Sequence, residues 1–559
     1  MKNMKKILAL LVAVLMIVAM VPAMAAGHSS ITINNAVKDH TYTAYRILAG
    51  DVANGKLSNV EWGNGITDAG KTALYTKYSL TGENQTAAKV ADAIGTTDAD
   101  AIAFANAIGT NVTGGTAIKA TADGQIKFEN LDDGYYMIVD TWTGDTSAVD
   151  GKDYTLARFM IQLAGTATVN NKADKPTVDK VIVEDSTDKK ENTAQIGDTV
   201  NYKVTSKVPQ YDGYKEYYMD FEDTMSKGLT FGNDVSVSIG GTTLATDAYT
   251  VTTTQAYDAT NGTKFTIHLK DFVSRNYTVG ADIVITYTGV INDNAVIGNE
   301  GNPNTIKLKY SNNPLHSGDG TPDNPDEDVV NGETPESTVK TFVTEIQLVK
   351  IDKADTTKKL AGAVFNVKGS TINKVLVTGD EFVADATGDY WKLKDNKGYT
   401  TKAPTDLTKD QYDSETQKYK KQAYATSSVQ ETANVDFEVV SGNDGIIKIT
   451  GLKEGTYTFT EIQAPDGYNL LDAPITVTVS SNISTKEATA AFAWSATSEK
   501  VTVTDLGNGK FGFNVENGQG NTLPSTGGIG TTLFYIGGGI LVLAAVILLV
   551  TKRRMSAND

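Results

Sequence analysis

The sequence predicts an all-β protein made of tandem immunoglobulin-like β-sandwiches, with small helical insertions in the first domain. Three observations predict it. Val200, Tyr202, Val204 and Val208 alternate with polar residues, and Ile283, Ile285 and Tyr287 do the same, which is the period-2 signature of half-buried strands. Val, Thr and Tyr recur throughout such runs, and Tyr (25) outnumbers Phe (16), a composition that favours pleated surfaces. The runs are short and evenly spaced over 559 residues, enough chain for several sandwiches rather than one.

Residues 1–25 read as a secretory signal. Lys2, Lys5 and Lys6 precede an apolar run from Ile7 to Met20, and Ala23-Met24-Ala25 supplies a small-residue cleavage site. Residues 26–172 form a first unit, with strand-like Ile31-Thr32-Ile33. Two Ala-rich helices are expected near Thr86–Ile94 and Asp98–Ile108, with Thr97 or Asp98 as a cap. Asp133-Gly134 then turns into the strand Tyr135–Val139. Residues 173–338 form a middle unit plus an acidic Gly/Asn/Pro-rich linker that begins near Ser311. Residues 339–520 form a third unit, interrupted by a polar insertion around Asp395–Thr432. Residues 521–559 carry an apolar stretch, Leu533–Val550, followed by Lys552, Arg553 and Arg554. As a helix that stretch is about 27 Å long, close to a bilayer core of about 30 Å, and the basic tail holds its end on the cytoplasmic side.

Composition excludes several classes. With 67 acidic against 50 basic residues the net charge is -17, which argues against nucleic acid as a partner. Cysteine is absent, so an exported chain of this size has no disulfides and any covalent reinforcement must use other groups. His28, His40, His268 and His316 are scattered without ligand spacing, and no metal or cofactor is expected. There is neither a phosphate loop nor a G-x-S-x-G nucleophile, so the chain is not read as an enzyme.

Polar residues recur on faces that should be apolar. Residues i, i+2 and i+4 of a strand share a face. Lys350 continues the face of Ile346 and Leu348, Glu461 that of Tyr457 and Phe459, and Asn517 that of Phe511, Phe513 and Val515. In the middle unit Lys180 continues from Val178, Asp223 from Met219 and Phe221, and Asn304 begins the face of Ile306, Leu308 and Tyr310, with Asn312 further along it. Burying such groups without partners costs several kcal/mol. One way out is chemical: desolvation makes the lysine neutral and the acid protonated. The amine then attacks the Asn carbonyl, which the protonated acid polarises, and ammonia leaves. The other is that the lysine snorkels outward and the Asn bonds locally. Periodicity leaves both open.

Near the C-terminus, Leu523-Pro524-Ser525-Thr526-Gly527 precedes the apolar stretch and the basic tail. With a signal peptide at the far end, this order resembles the cell-wall sorting signal of Gram-positive surface proteins. The resemblance implies that a sortase cysteine attacks the Thr526 carbonyl, releases Gly527 and passes the acyl group to an amine.

Lys350-Ile351-Asp352, Leu360–Phe365, and Tyr457–Glu461 with Ala464-Pro465-Asp466-Gly467-Tyr468 resemble a Cna-B-type domain, Glu461 lying in an "E-box". Pro176–Lys180, Asp223–Phe231 and Asn304–Pro314 resemble the middle domain of Gram-positive sortase-assembled backbone (major) pilins. This resemblance implies isopeptide bonds Lys350–Asn517, promoted by Glu461, and Lys180–Asn304, promoted by Asp223, with Asn312 as an alternative acceptor. Asp140 stands roughly where a first-unit acid would, and no bond is assigned there.

The family's polymerising lysine maps onto Lys172, in Val169-Asn170-Asn171-Lys172. Asn170-Asn171 stand where the family has an aromatic–proline pair, and Lys175 is a competitor. The resemblance therefore implies an extracellular fimbrial shaft subunit. Its partners would be pilus-type and housekeeping sortases, other copies of itself, minor pilins, peptidoglycan at the fibre base, and host or bacterial surface ligands. The alternative is a monomeric wall-anchored adhesin that binds host or matrix ligands.

Overall fold

The computed structural model describes residues 29–53, 56–142, 154–214, 216–314, 332–369, 374–395, 397–423, 428–430, 436–483, 490–520 and 529–555. The expected signal segment, residues 1–25, and Leu523–Gly527 lie outside them. The protein is all-β: tandem sandwiches, with α-helices confined to the first unit and the C-terminal segment among the described residues.

The first unit pairs the strand Ser29–Ala36 with Gly124–Leu131 (antiparallel) and Thr166–Asn170 (parallel). A second sheet is built on the long strand His40–Ala53 and its neighbour Gly134–Trp142. Ile31, Ile33, Tyr42, Phe128 and Ile138 fill the space between them. The expected helices occur as Ala87–Ala93, capped by Thr86, and Asp98–Ile108, where Thr97 and Asp100 form a reciprocal capping box. A further helix, Asp68–Lys77, was not expected. Its Thr72 and Thr76 are poor helix formers, and the element is held by burial of Leu74 against Phe104 and Ile108.

The middle unit is a sandwich of two sheets. One contains Asp179–Glu184, Thr199–Lys207 and Asp282–Ile291; the other contains Met219–Met225, Gly262–Leu269 and Asn302–Tyr310. Inward residues alternate as the strand period requires: Val200, Tyr202 and Val204 from one sheet face Phe221, Phe265, Ile306 and Leu308 from the other. The strand Ser337–Phe342 runs through the expected boundary at 338/339 and pairs with Asn302–Tyr310, with Val339 opposite Asn304. It is therefore part of the middle sheet.

In the third unit the first strand, Thr344–Asp352, lies between Ile446–Leu452 (antiparallel) and the last strand, Lys510–Asn517 (parallel). The facing sheet contains Val364–Gly369, Asp436–Val440, Gly455–Gln463 and Ile475–Ser481. Within the polar insertion, Tyr419–Ala423 pairs with Asp380–Ala384 and so extends that sheet. The C-terminal helix Ile529–Met555 contains a stretch, Tyr535–Arg553, long and apolar enough to cross a membrane. Its Ile540, Leu541, Ile547 and Leu548 are exposed.

Candidate functional site

The structure brings together both lysine–acid–asparagine sets. In the third unit, the parallel register puts Lys350 opposite Val515 and Asp352 opposite Asn517. The inward pleat then directs Lys350 and Asn517 into one gap, where both are buried. Glu461 reaches the gap from the facing sheet and is itself buried. Lys350 Nζ donates to Asn517 Oδ1 and lies 2.9 Å from Glu461 Oε1. Asn517 Nδ2 donates to Glu461 Oε1 and Oε2 at 2.9 and 3.0 Å. The backbone N–H of Leu471 donates to Oε2 at 2.9 Å and steadies the carboxylate.

Glu461 was expected to polarise the Asn517 carbonyl. It faces the amide nitrogen instead. The reason is complementarity: an ammonium has only donors and takes the carbonyl oxygen, whereas a carboxylate has only acceptors and takes the N–H. The acid thus sits beside the nitrogen that would leave.

The turn after Glu461 fastens the end of the last strand. Gly467, at φ 84°, allows the reversal that a side chain would strain. Its carbonyl accepts from Gly520 N at 3.0 Å, and Asn469 N donates to Gly518 O at 2.9 Å. Tyr468 Oη donates to Asp352 Oδ2 at 2.7 Å.

In the middle unit, Lys180 Nζ lies 2.5 Å from Asp223 Oδ2 and donates to Asn304 Oδ1. All three side chains are buried. The rings of Tyr202 and Tyr287 flank the ammonium, with centroids 5.3 and 5.2 Å from Nζ, a cation–π contact that stabilises it where water is excluded. Asn304, rather than Asn312, meets Lys180; the carbonyl of Asn312 accepts from Leu156 N at 2.7 Å, at the seam with the first unit. Tyr287 was not singled out as a site residue. Its hydroxyl donates to Asp223 Oδ2 and accepts from Asn304 Nδ2 at 3.3 Å. Its inward place after Ile283 and Ile285 was legible in the sequence, but nothing there set it apart from an ordinary core tyrosine.

The two sets differ in what they bridge. Lys350 and Asn517 lie on adjacent parallel strands of one sheet. Lys180 and Asn304 lie on opposite sheets. Electrostatically they agree. Burial lowers the Lys180 ammonium to about 8 against the opposing pull of Asp223, and raises the Asp223 carboxyl against Lys180. Burial likewise lowers Lys350, with Glu461 opposing. Each site holds an amine, a carboxamide and an acid in contact and out of water. That geometry can support amide exchange through effective molarity and proton transfer.

The first unit has no such set among the described residues. Asp140 is buried, and its carboxylate meets His40 Nδ1 at 2.9 and 3.0 Å. Lys172 lies two residues beyond the end of the strand Thr166–Asn170 and pairs with Asp212 of the middle unit at 2.6 Å. Lys175 is exposed, with Nζ 5.6 Å from the Tyr154 ring centroid.

The structure thus sets tandem sandwiches, two of them with a buried lysine–acid–asparagine set, ahead of an apolar C-terminal helix. Residues 196–314 match the Gram-positive pilin backbone subunit 2, Cna-B-like domain; residues 344–491 match the SpaA prealbumin-like fold domain; residues 515–556 match the LPXTG cell wall anchor motif. The trypsin-resistant surface T6 protein of Streptococcus pyogenes serotype M6 is 28% identical over 417 residues, 68% of this chain and 70% of that protein. Among solved structures, the T6 backbone pilin of serotype M6 S. pyogenes matches with a TM-score of 0.49 at 15% identity, covering 89% of this chain and 100% of that one. The major pilin SpaD from Corynebacterium diphtheriae matches with a TM-score of 0.42 at 17% identity, covering 88% and 98%. The chain resembles the Gram-positive sortase-assembled backbone pilins and is a pilin subunit of the Gram-positive cell surface.

Proposed function

We propose that the chain is the structural backbone subunit of a covalently polymerised pilus. Sortase joins Thr526 of one subunit to Lys172 of the next, and isopeptide bonds Lys350–Asn517 and Lys180–Asn304 stabilise each subunit. The observation that carries this reading is the pair of fully buried lysines, each in contact with an asparagine carbonyl and an acid. Left un-cross-linked, each buried charge pair keeps a desolvation penalty of several kcal/mol; an amide in its place carries no charge. For the polymer, Lys172 is supported by its place at the seam of the first and middle units, held by Asp212 and partly exposed (39%).

Pilus-type and housekeeping sortases, further copies of the chain, minor pilins and peptidoglycan at the fibre base are the partners this reading requires. The test is a heat- and SDS-resistant ladder in cell-wall extracts probed with antiserum. A lone monomer band in a strain with its pilus sortase intact would sink the reading and leave a monomeric adhesin.

A further inference from the structure

The two sites hold acids of different length, and the structure compensates for the difference. Glu461 touches both nitrogens directly: Lys350 Nζ at 2.9 Å and Asn517 Nδ2 at 2.9 and 3.0 Å. One carboxylate therefore spans nucleophile and leaving group. Asp223 is one methylene shorter. It reaches Lys180 Nζ at 2.5 Å, but its other side-chain contact is the hydroxyl of Tyr287, not the asparagine. The same hydroxyl accepts from Asn304 Nδ2 at 3.3 Å. Aspartate and tyrosine together cover the path that glutamate covers alone.

We propose that Tyr287 is a catalytic proton relay of the middle unit, carrying a proton from Asp223 to the departing nitrogen of Asn304. This rests on the Lys180–Asn304 cross-link proposed above. The step balances without any outside reactant. Neutral Lys180 Nζ attacks Asn304 Cγ and forms the new C–N bond. Nζ gives a proton to Asp223 Oδ2. In the resting site the phenol donates to Asp223 and accepts from Nδ2. Once attack makes Nδ2 pyramidal and basic, the phenol turns its O–H onto Nδ2, passes that proton to it and takes the proton of Asp223 in exchange. The Cγ–Nδ2 bond breaks and ammonia leaves, with no change of oxidation state.

The surroundings suit a relay rather than a free acid. The Tyr287 ring is fixed edge-on to Phe265 and Phe231, with centroids 5.4 and 6.1 Å apart. It is buried, so the phenol cannot exchange protons with bulk water. Tyr287 lies on the lysine's sheet and Asp223 on the opposite one, so the relay closes only when the two sheets pack. Burial and the adjoining Asp223 keep the phenol protonated throughout the ordinary pH range.

The test uses the full ectodomain with intact mass and peptide mapping over time after synthesis. Tyr287→Phe keeps the ring and removes the relay. It should slow formation of the Lys180–Asn304 peptide roughly 100-fold, while the Lys350–Asn517 peptide appears at the wild-type rate. Adding Asp223→Glu to Tyr287→Phe should restore the bond, because the longer acid bridges both nitrogens itself. A Tyr287→Phe protein that cross-links as fast as wild type overturns the relay and leaves the cross-link reading intact. Loss of the bond without rescue by Asp223→Glu also overturns it, and marks Tyr287 as structural. Absence of the Lys180–Asn304 peptide from the wild type overturns both readings.

Discussion

Asn517 Nδ2 donates to both carboxylate oxygens of Glu461, at 2.9 and 3.0 Å, across the gap between the two sheets of the third unit. Neither residue is near the other in sequence, and neither could be buried alone at tolerable cost. The contact places an acid against the one nitrogen that must leave if Lys350 is to be acylated. In the middle unit Asp223 and Asn304 likewise meet around a buried lysine, Lys180.

The recombinant ectodomain should weigh less than its sequence by one ammonia for each bond, at Lys350–Asn517 and at Lys180–Asn304. Glu461→Ala should restore one ammonia. If the tether acts as a disulfide does, its loss costs about 2–5 kcal/mol, which for a unit of this size lowers the melting temperature by on the order of 10 °C. Intact mass spectrometry and calorimetry read both. An unchanged wild-type mass rules out both bonds.

Asp223→Ala should make the middle unit's stability depend on alkaline pH. Without the bond, Lys180 stays a buried amine, and its folded value is already lowered to about 8 with Asp223 present. Between that value and the ordinary lysine range the unfolded chain binds more protons than the folded one. The destabilisation is fully present below the folded value and is relieved as pH rises towards the ordinary range. Removing Asp223, which pulls the value up, widens that window downward. The variant's melting temperature should rise between about pH 7 and about pH 10 relative to wild type, by up to about 1.4 kcal/mol of stability per pH unit. In a cross-linked wild type the same nitrogen would be an amide and would not titrate. A flat difference over this range contradicts the prediction.

The two bonds should behave differently under load. A Lys350–Asn517 bond would join the first strand to the last, so force would bypass the third unit. A Lys180–Asn304 bond would leave residues 305–342 on the load path, including the strand Ser337–Phe342. Single-molecule pulling on the middle and third units should show one short event of up to roughly 130 Å from that segment and no extension of the third unit. Glu461→Ala should add a much longer event. Identical traces for wild type and variant would contradict the assignment.

Lys172→Arg should abolish the polymer ladder in cell-wall extracts, whereas Lys175→Arg should leave it. Arginine keeps the positive charge beside Asp212 but offers no acylable amine at neutral pH. The reverse pattern would move the acceptor to Lys175. Loss of the ladder in neither variant would remove both from the reaction.

Much of the site was legible because a strand has period 2. Ile346, Leu348 and Lys350 had to share a face, and so did Phe511, Phe513, Val515 and Asn517, so a lysine and an amide were aimed inward before any partner was known. What the period could not supply was the partner itself. Asn304 and Asn312 share one face, and only the packing of opposite sheets puts Asn304 against Lys180, while the backbone carbonyl of Asn312 accepts from Leu156 N at the seam. Asp140 sat where an acid might serve a lysine, yet its contact is His40, 100 residues upstream. The helix Asp68–Lys77 was missed because its threonines speak against a helix locally, and the burial of Leu74 in the first unit's helical core overrides them.

The sequence by itself determined the class of fold, the anchor motif towards the C-terminal end and the inward lysines, because these depend on local composition and spacing. Tertiary structure alone decided which asparagine faces which lysine, that Glu461 attends the amide nitrogen rather than its oxygen, that one bond would lie within a sheet and the other between sheets, and that Tyr287 completes the shorter acid. Those relations depend on register and on sheet-to-sheet packing. Both are set by the sum of many weak contacts across distant strands, not by any run of neighbouring residues.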